Sequence, residues 1–215
     1  QRFSYTNFEV CAVMLDLGLK PVDTSRVEAF AERIGMDFTV IHTDIGKVVF
    51  EYRDERSPCA LCAKLRRGAL NNAAVERGCN KVALGHNRED VLETLFLSLL
   101  YEGRICTFAP VTYLGRKDVT IIRPLIFLPE KYALSVARQR ELPVLPPHCD
   151  IAGTTKREEA KQLIQHICTL VPDAEEKMMH AISSTETYRL WDRMRLKPQK
   201  QPIAESIDRA DESLQ

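Results

Sequence analysis

No run of about 18 uninterrupted apolar residues, the length a membrane-crossing helix needs, occurs in the 215 residues. The opening residues also lack the charged-then-apolar layout of a secretory signal, so no membrane partner is expected and the expected location is the cytoplasm. Net charge is missing too: 30 basic and 30 acidic side chains cancel. That removes any global field that would draw nucleic acid, and leaves only local clusters, Lys64, Arg66 and Arg67 or Arg189, Arg193 and Arg195. From composition alone the commoner reading of each cluster is a solvated helix face. There is no internal repeat. Seven cysteines stand at irregular spacing, which argues against a disulfide framework and for reduced thiols.

What is present is the composition of a globular protein with a core, 45% apolar and 28% charged. The apolar pattern predicts a strand over 8–15, a helix over 22–34 stopping at Gly35, and a strand over 38–42. A helical or turn-like stretch follows over 45–51, then a loop over 54–58. A helix over 61–77 closes at Gly78, followed by a strand over 81–84 and a helix over 91–100. Further on come a strand over 119–125 and helices over 131–140, 156–170 and 174–191. This alternation predicts an α/β fold, an open parallel sheet with helices on both faces, followed by a helical C-terminal segment. The expected division is an α/β domain over 1–150, a helical segment over 151–196 and a mobile tail over 197–215.

Among the thiols, Cys11, Cys79, Cys106 and Cys168 sit in apolar surroundings and read as small buried hydrophobes. Cys59, Cys62 and Cys149 differ, flanked by proline and polar residues in predicted loops. Two close thiolates and a distant third make a three-point metal or cluster site. Structural zinc sites normally close all four positions, so three ligands with one position open favour chemistry over scaffolding.

A second constellation is Gly85-His86-Asn87-Arg88-Glu89-Asp90, followed by Glu93 and Thr94. It is a strand-to-helix turn that presents free amides at a helix N-terminus. An acid at Asp90 also suits an ordinary helix cap, and His86 an ordinary hydrogen-bonding role. In parallel sheets ligands bind beyond the carboxyl ends of the strands, and both this turn and Asp16 fall at such ends.

Four ordered motifs carry a resemblance: Cys59-x-x-Cys62 with Leu65-Arg66-Arg67-Gly68, then Ala83-Leu84-Gly85-His86-Asn87 with Asp90 and Thr94. The third and fourth are Ile122-Arg123-Pro124-Leu125 and Pro146-Pro147-His148-Cys149-Asp150-Ile151-Ala152-Gly153. Together they resemble the tRNA two-thiocytidine synthetase family of the PP-loop, or adenine-nucleotide α-hydrolase-like, superfamily. The resemblance implies a tRNA sulfurtransferase in which ATP, with Mg, adenylates the C2 oxygen of a pyrimidine and sulfur then replaces AMP. It implies a [4Fe-4S] cluster on Cys59, Cys62 and Cys149, catalytic roles for Asp90 and Arg66, and nucleotide contacts at Met14, Gly85 and His86. The implied partners are tRNA and a sulfur donor such as a cysteine desulfurase, with room for a homodimer. The superfamily's Ser-Gly-Gly-Lys-Asp-Ser phosphate loop does not occur in this sequence. Its first strand, at 8–15, corresponds to the family's second, and the expectation is that the chain as written does not adenylate RNA unaided.

Two other readings keep the same residues. One is an ATP-independent iron-sulfur desulfurase or sulfur-handling enzyme. The other is a zinc-stabilised RNA-binding module in which His148 or another residue closes the fourth position.

Overall fold

The computed structural model describes residues 8–53, 58–146, 149, 153 and 155–184. In chain order its elements are β1 (Cys11–Asp16), α1 (Ser25–Arg33), β2 (Asp37–His42) and α2 (Ile45–Lys47), which runs into a π-helical turn over Val48–Tyr52. Then come α3 (Pro58–Glu76), β3 (Lys81–Ala83), α4 (Arg88–Tyr101), β4 (Val111–Leu114) and β5 (Val119–Ile122). Helices α5 (Glu130–Gln139), α6 (Lys156–Leu170) and α7 (Ala174–Ser183) complete the described chain. The chain divides into compact units Gln1–Met179 and His180–Gln215; of the second only His180–Ser184 is described.

The α/β alternation is as expected, but the strands are not all parallel. β1 pairs with β2 in parallel, Cys11 opposite Asp37 and Asp16 opposite His42. β3 pairs with β5 in parallel, and β5 also pairs with β4 in antiparallel register, Val111 opposite Ile122. The described strands thus form a two-stranded and a three-stranded sheet, the latter ordered β3-β5-β4. β4 was missed because its turn to β5, Gly115 to Asp118, has no Asn-Gly or Asp-Gly signal. Its left-handed residue is Asp118, at φ 51°, which accepts a 2.9 Å hydrogen bond from the Tyr113 hydroxyl. The predicted strand over 119–125 stops at Ile122, where Arg123-Pro124 turns the chain away.

Helix α3 touches β1 in one sheet and β3 and β5 in the other. Pro58 opens it, where a missing N–H costs nothing because the first turn has no acceptor for it. It ends in a Schellman turn: Gly78, at φ +67°, donates to Val75 O and Cys79 N–H reaches Ala74 O at 2.8 Å. Glycine suits that left-handed position because it lacks the Cβ that would clash.

The core is built where α4 and β5 meet the flanking helices. Leu92, Val91, Val49 and Val119 are fully enclosed, joined by Ala73, Ala74, Ile121, Ile126, Ala160 and Ile164. Helix α6 lies against α4. The four cysteines read as buried are not: Cys11, Cys79 and Cys168 are half-buried and Cys106 is exposed. Cys106 lies in the loop between α4 and β4, and Cys79 in the surface turn that ends α3, so apolar neighbours in sequence did not translate into enclosure. Cys11 Sγ and Cys79 Sγ stand 3.8 Å apart. A cavity of about 1230 Å³ opens beside them, lined mainly by the starts of β1 and β3 from Phe8 to Cys11 and Gly78 to Lys81.

Candidate active site

The cysteine pair sits on a helix, not in the loop expected for it. Cys59 and Cys62 occupy the first turns of α3, because the helix begins at Pro58, three residues before its predicted start. Spacing of i and i+3 brings two side chains to one side of a helix. Cys59 is exposed while Cys62 and Cys149 are half-buried. Burial pushes the Cys62 thiol up; Arg66, one turn on, pulls the other way, and the charges of Cys149 and Cys59 raise it further. Cys149, distant in sequence, therefore lies close enough to Cys62 to act on its ionisation.

Three uncrosslinked thiols, two on one helical turn and the third near enough to act on Cys62, are the donor chemistry that iron-sulfur clusters take. Among the described residues no three His, Cys, Asp or Glu side chains converge at the spacing that holds a single metal ion. A cluster of several irons and sulfides is larger than one ion, so its ligands stand further apart. His148, proposed as a fourth zinc ligand, lies outside the described residues.

The second constellation gathers at the start of α4. Asn87 is the N-cap: its side-chain oxygen accepts from Asp90 N–H at 3.1 Å, and Asp90 Oδ2 accepts from Asn87 N–H at 2.9 Å. This reciprocal capping box explains locally why a helix starts here. Asp90 Oδ1 also faces Arg157 Nη1 at 3.2 Å, and the same nitrogen donates to Glu93 Oε2 at 2.8 Å. Glu93 is almost fully buried; burial pushes its carboxyl up, and the bond to Arg157 counters that.

His86 precedes this cap, half-buried, its ring 4.8 Å from that of Phe108. Its Nδ1 is buried without a hydrogen-bond partner. Burial holds the imidazole below its ordinary value; Asp90 opposes this, and the cationic groups of Arg123, Arg157 and Arg66 reinforce it. Gly85 does not adopt a left-handed conformation, and a Cβ built there would meet nothing within 4 Å. Open space beside the backbone, rather than strain, is what this glycine leaves. Met14 lies in mid β1, half-buried and in register with Val40.

The predicted residues therefore fall into two groups, the thiols at the start of α3 with Cys149 and the turn at the start of α4; the charge of Arg66 bears on one residue of each. It acts electrostatically on Cys62 on one side and on His86 on the other. Arg157 and Phe108 were missed: one is a cation beside Lys156 at the start of α6, the other one aromatic in a loop, and neither belongs to a motif. Arg123 stood inside a motif but was given no role. Arg189, Arg193 and Arg195 lie outside the described residues.

A family model described as the PP-loop domain matches residues 2–144. Among curated relatives, the tRNA-cytidine(32) 2-sulfurtransferase of Marinobacter nauticus is 34% identical over 196 residues, covering 89% of this chain and 64% of its own length. That of Anaeromyxobacter sp. (strain K) is 32% identical over 87% of this chain and 65% of its own. That of Citrifermentans bemidjiense is 30% identical over 90% of this chain and 77% of its own. The chain thus spans just under two thirds of the length of the first two relatives. In fold it is similar to a U34-tRNA thiolase of Methanococcus maripaludis solved with its [4Fe-4S] cluster, with a TM-score of 0.65 and 22% identity over 86% of this chain and 64% of that one. With the domain model matched over 143 of the 215 positions (2 to 144 inclusive) and relatives at or above 30% identity, the chain belongs to the PP-loop domain family.

Proposed function

We propose that this chain carries the sulfur-transfer site of a tRNA sulfurtransferase that converts a cytidine to 2-thiocytidine, at position 32 as the names of its relatives suggest. The observation that carries the reading is the pairing of Cys59 and Cys62 on the first turns of α3, one turn before Arg66, with the distant Cys149 near enough to act on Cys62.

In the proposed reaction the cytidine C2 oxygen attacks the α-phosphorus of ATP, assisted by Mg, and pyrophosphate leaves. Sulfide then attacks C2 and AMP departs with the oxygen. Held by Cys59, Cys62 and Cys149, a [4Fe-4S] cluster would supply soft iron with one position not filled by protein, able to carry that sulfide. Arg66 stabilises negative charge on the phosphoryl group as AMP leaves. Asp90, held by Asn87 N–H and Arg157, is the acid that positions base or metal. His86 stays neutral beside the arginines and offers a ring nitrogen for hydrogen bonding, with Gly85 leaving room for nucleotide; Met14 is a further nucleotide contact. No glycine-rich phosphate loop occurs within residues 1–215, so these residues supply the cluster ligands, Arg66 and the α4 turn but not that phosphate cradle. A cysteine desulfurase is a suitable sulfur donor, and a homodimer a suitable assembly.

The test is mass spectrometry of digested tRNA from cells lacking the endogenous activity and expressing this chain, or its Cys62→Ala variant, joined behind a phosphate-loop segment taken from a relative. Appearance of 2-thiocytidine with the first and not the second supports the reading. Sulfur release from thiolated nucleosides without ATP, and no 2-thiocytidine, would favour the desulfurase instead.

A further inference from the structure

We infer that Arg123 and Arg67, together with the His86 ring, form a phosphoryl-binding subsite at the carboxyl ends of β3 and β5, distinct from the phosphoryl role given to Arg66. β3 and β5 are parallel neighbours, and Leu84 N–H donates to Ile122 O at 2.9 Å. His86 and Arg123 therefore leave the sheet side by side, at the end of a parallel sheet where ligands bind. The Arg123 guanidinium lies 4.8 Å from the centre of the Phe108 ring, and His86 packs 4.8 Å from the same ring. One aromatic side chain thus seats both groups.

Arg123 is held as well as stacked. Its Nη1 donates to Ala109 O at 2.6 Å and to Thr112 Oγ1 at 3.3 Å, while its Nε is buried without a hydrogen-bond partner. Burial lowers its affinity for its proton, and the nearby charge of Arg67 lowers it further. Arg67 is exposed on α3, its Nε donating to Ala63 O at 3.2 Å. Arg157 is balanced by Asp90 and Glu93, but among the described residues no carboxylate pairs with Arg66, Arg67 or Arg123. Arg67 and Arg123 repel each other, and Arg123 and Arg66 both bear on an imidazole with an orphaned nitrogen; this is a standing cost that an anion with several acceptor oxygens relieves. Guanidinium forks match phosphate geometry, and aromatic stacking leaves their free edge fixed.

The ligand chemistry is a phosphoryl group. Its source, an RNA backbone phosphate or the phosphates of a nucleotide, is a choice that rests on the proposed function, whereas the subsite itself does not. The test uses the full chain without cluster and without turnover, so its failure is separate from failure of the sulfurtransferase reading. Binding of a fluorescent anticodon stem-loop is measured by anisotropy across a salt series, and binding of AMP and of pyrophosphate by calorimetry, for the wild type and Arg123→Gln. Losing one charge-assisted contact is expected to weaken binding about tenfold or more. A loss confined to RNA, with a log-log salt slope shallower by about one, assigns the backbone phosphate; a loss confined to AMP or pyrophosphate assigns the nucleotide. Arg67→Gln, at an exposed position, carries the same measurement should Arg123→Gln fail to fold. Unchanged affinity for all three probes in the folded variants overturns the inference.

Discussion

Arg157 reaches from the first turn of α6 to Glu93, a nearly buried acid on α4, with Nη1 2.8 Å from Oε2. That contact ties the helical segment after residue 150 to the helix whose N-terminus carries Asp90. Arg157→Ala leaves Glu93 enclosed without its cation. Because the arginine is itself nearly half exposed, the expected loss is about 1–2 kcal/mol rather than the larger cost of breaking a fully buried pair. Urea unfolding measures it, and the double variant Arg157→Ala with Glu93→Gln should recover part of the loss.

Asp90 has two duties that substitution can separate. Asp90→Asn keeps a side-chain oxygen for the Asn87 N–H, so stability should change little, while thiolation by the chain joined to a relative's phosphate-loop segment should fall sharply. Asp90→Ala loses the acceptor and should cost about 1 kcal/mol in addition. Equal thiolation by wild type and Asp90→Asn, in a variant with the wild-type melting temperature, would reduce Asp90 to a cap.

His86 gives a pH signature. Its folded pKa is depressed, by burial first and by Arg123, Arg157 and Arg66 against the opposing Asp90. The unfolded imidazole, near about 6.5, then binds more protons than the folded one between the two values. Stability should rise with pH across that window and be lost as pH falls through it. Urea unfolding at several pH values should show a shallower rise for His86→Gln than for wild type; parallel curves would contradict the depressed pKa.

Leu92 is fully enclosed on α4, behind the site. Leu92→Ala should cost about 2–5 kcal/mol, depending on how far the cavity collapses. A loss well under 1 kcal/mol would mean that this helix does not anchor the core.

The helices and most strands were legible because their apolar residues recur at the right period, as in α6, found at its predicted bounds over Lys156–Leu170. Gly78 was legible as a stop because only a left-handed position closes α3. β4 was not, since a four-residue strand with a turn at Arg116 to Asp118 carries no short-range signal. The start of α3 was misjudged because Pro58 reads as loop in sequence, whereas proline is well suited to a first helical position. For the site, ordered motifs pointed to the thiols, Arg66 and the α4 turn. The roles of Arg157 and Phe108 arise only from tertiary approach: α6 folding back on α4, and a loop ring set beneath His86 and Arg123.

The central claim is that Cys59, Cys62 and Cys149 act together as the ligands of one [4Fe-4S] cluster. Anaerobic reconstitution with iron and sulfide, followed by iron and sulfide analysis and visible absorption, tests it on the wild type and on three single alanine variants. The account predicts a full cluster complement with broad absorption toward the blue in the wild type, and loss of cluster in each of the three variants. A Cys149→Ala protein that retains the wild-type iron, sulfide and spectrum would contradict it.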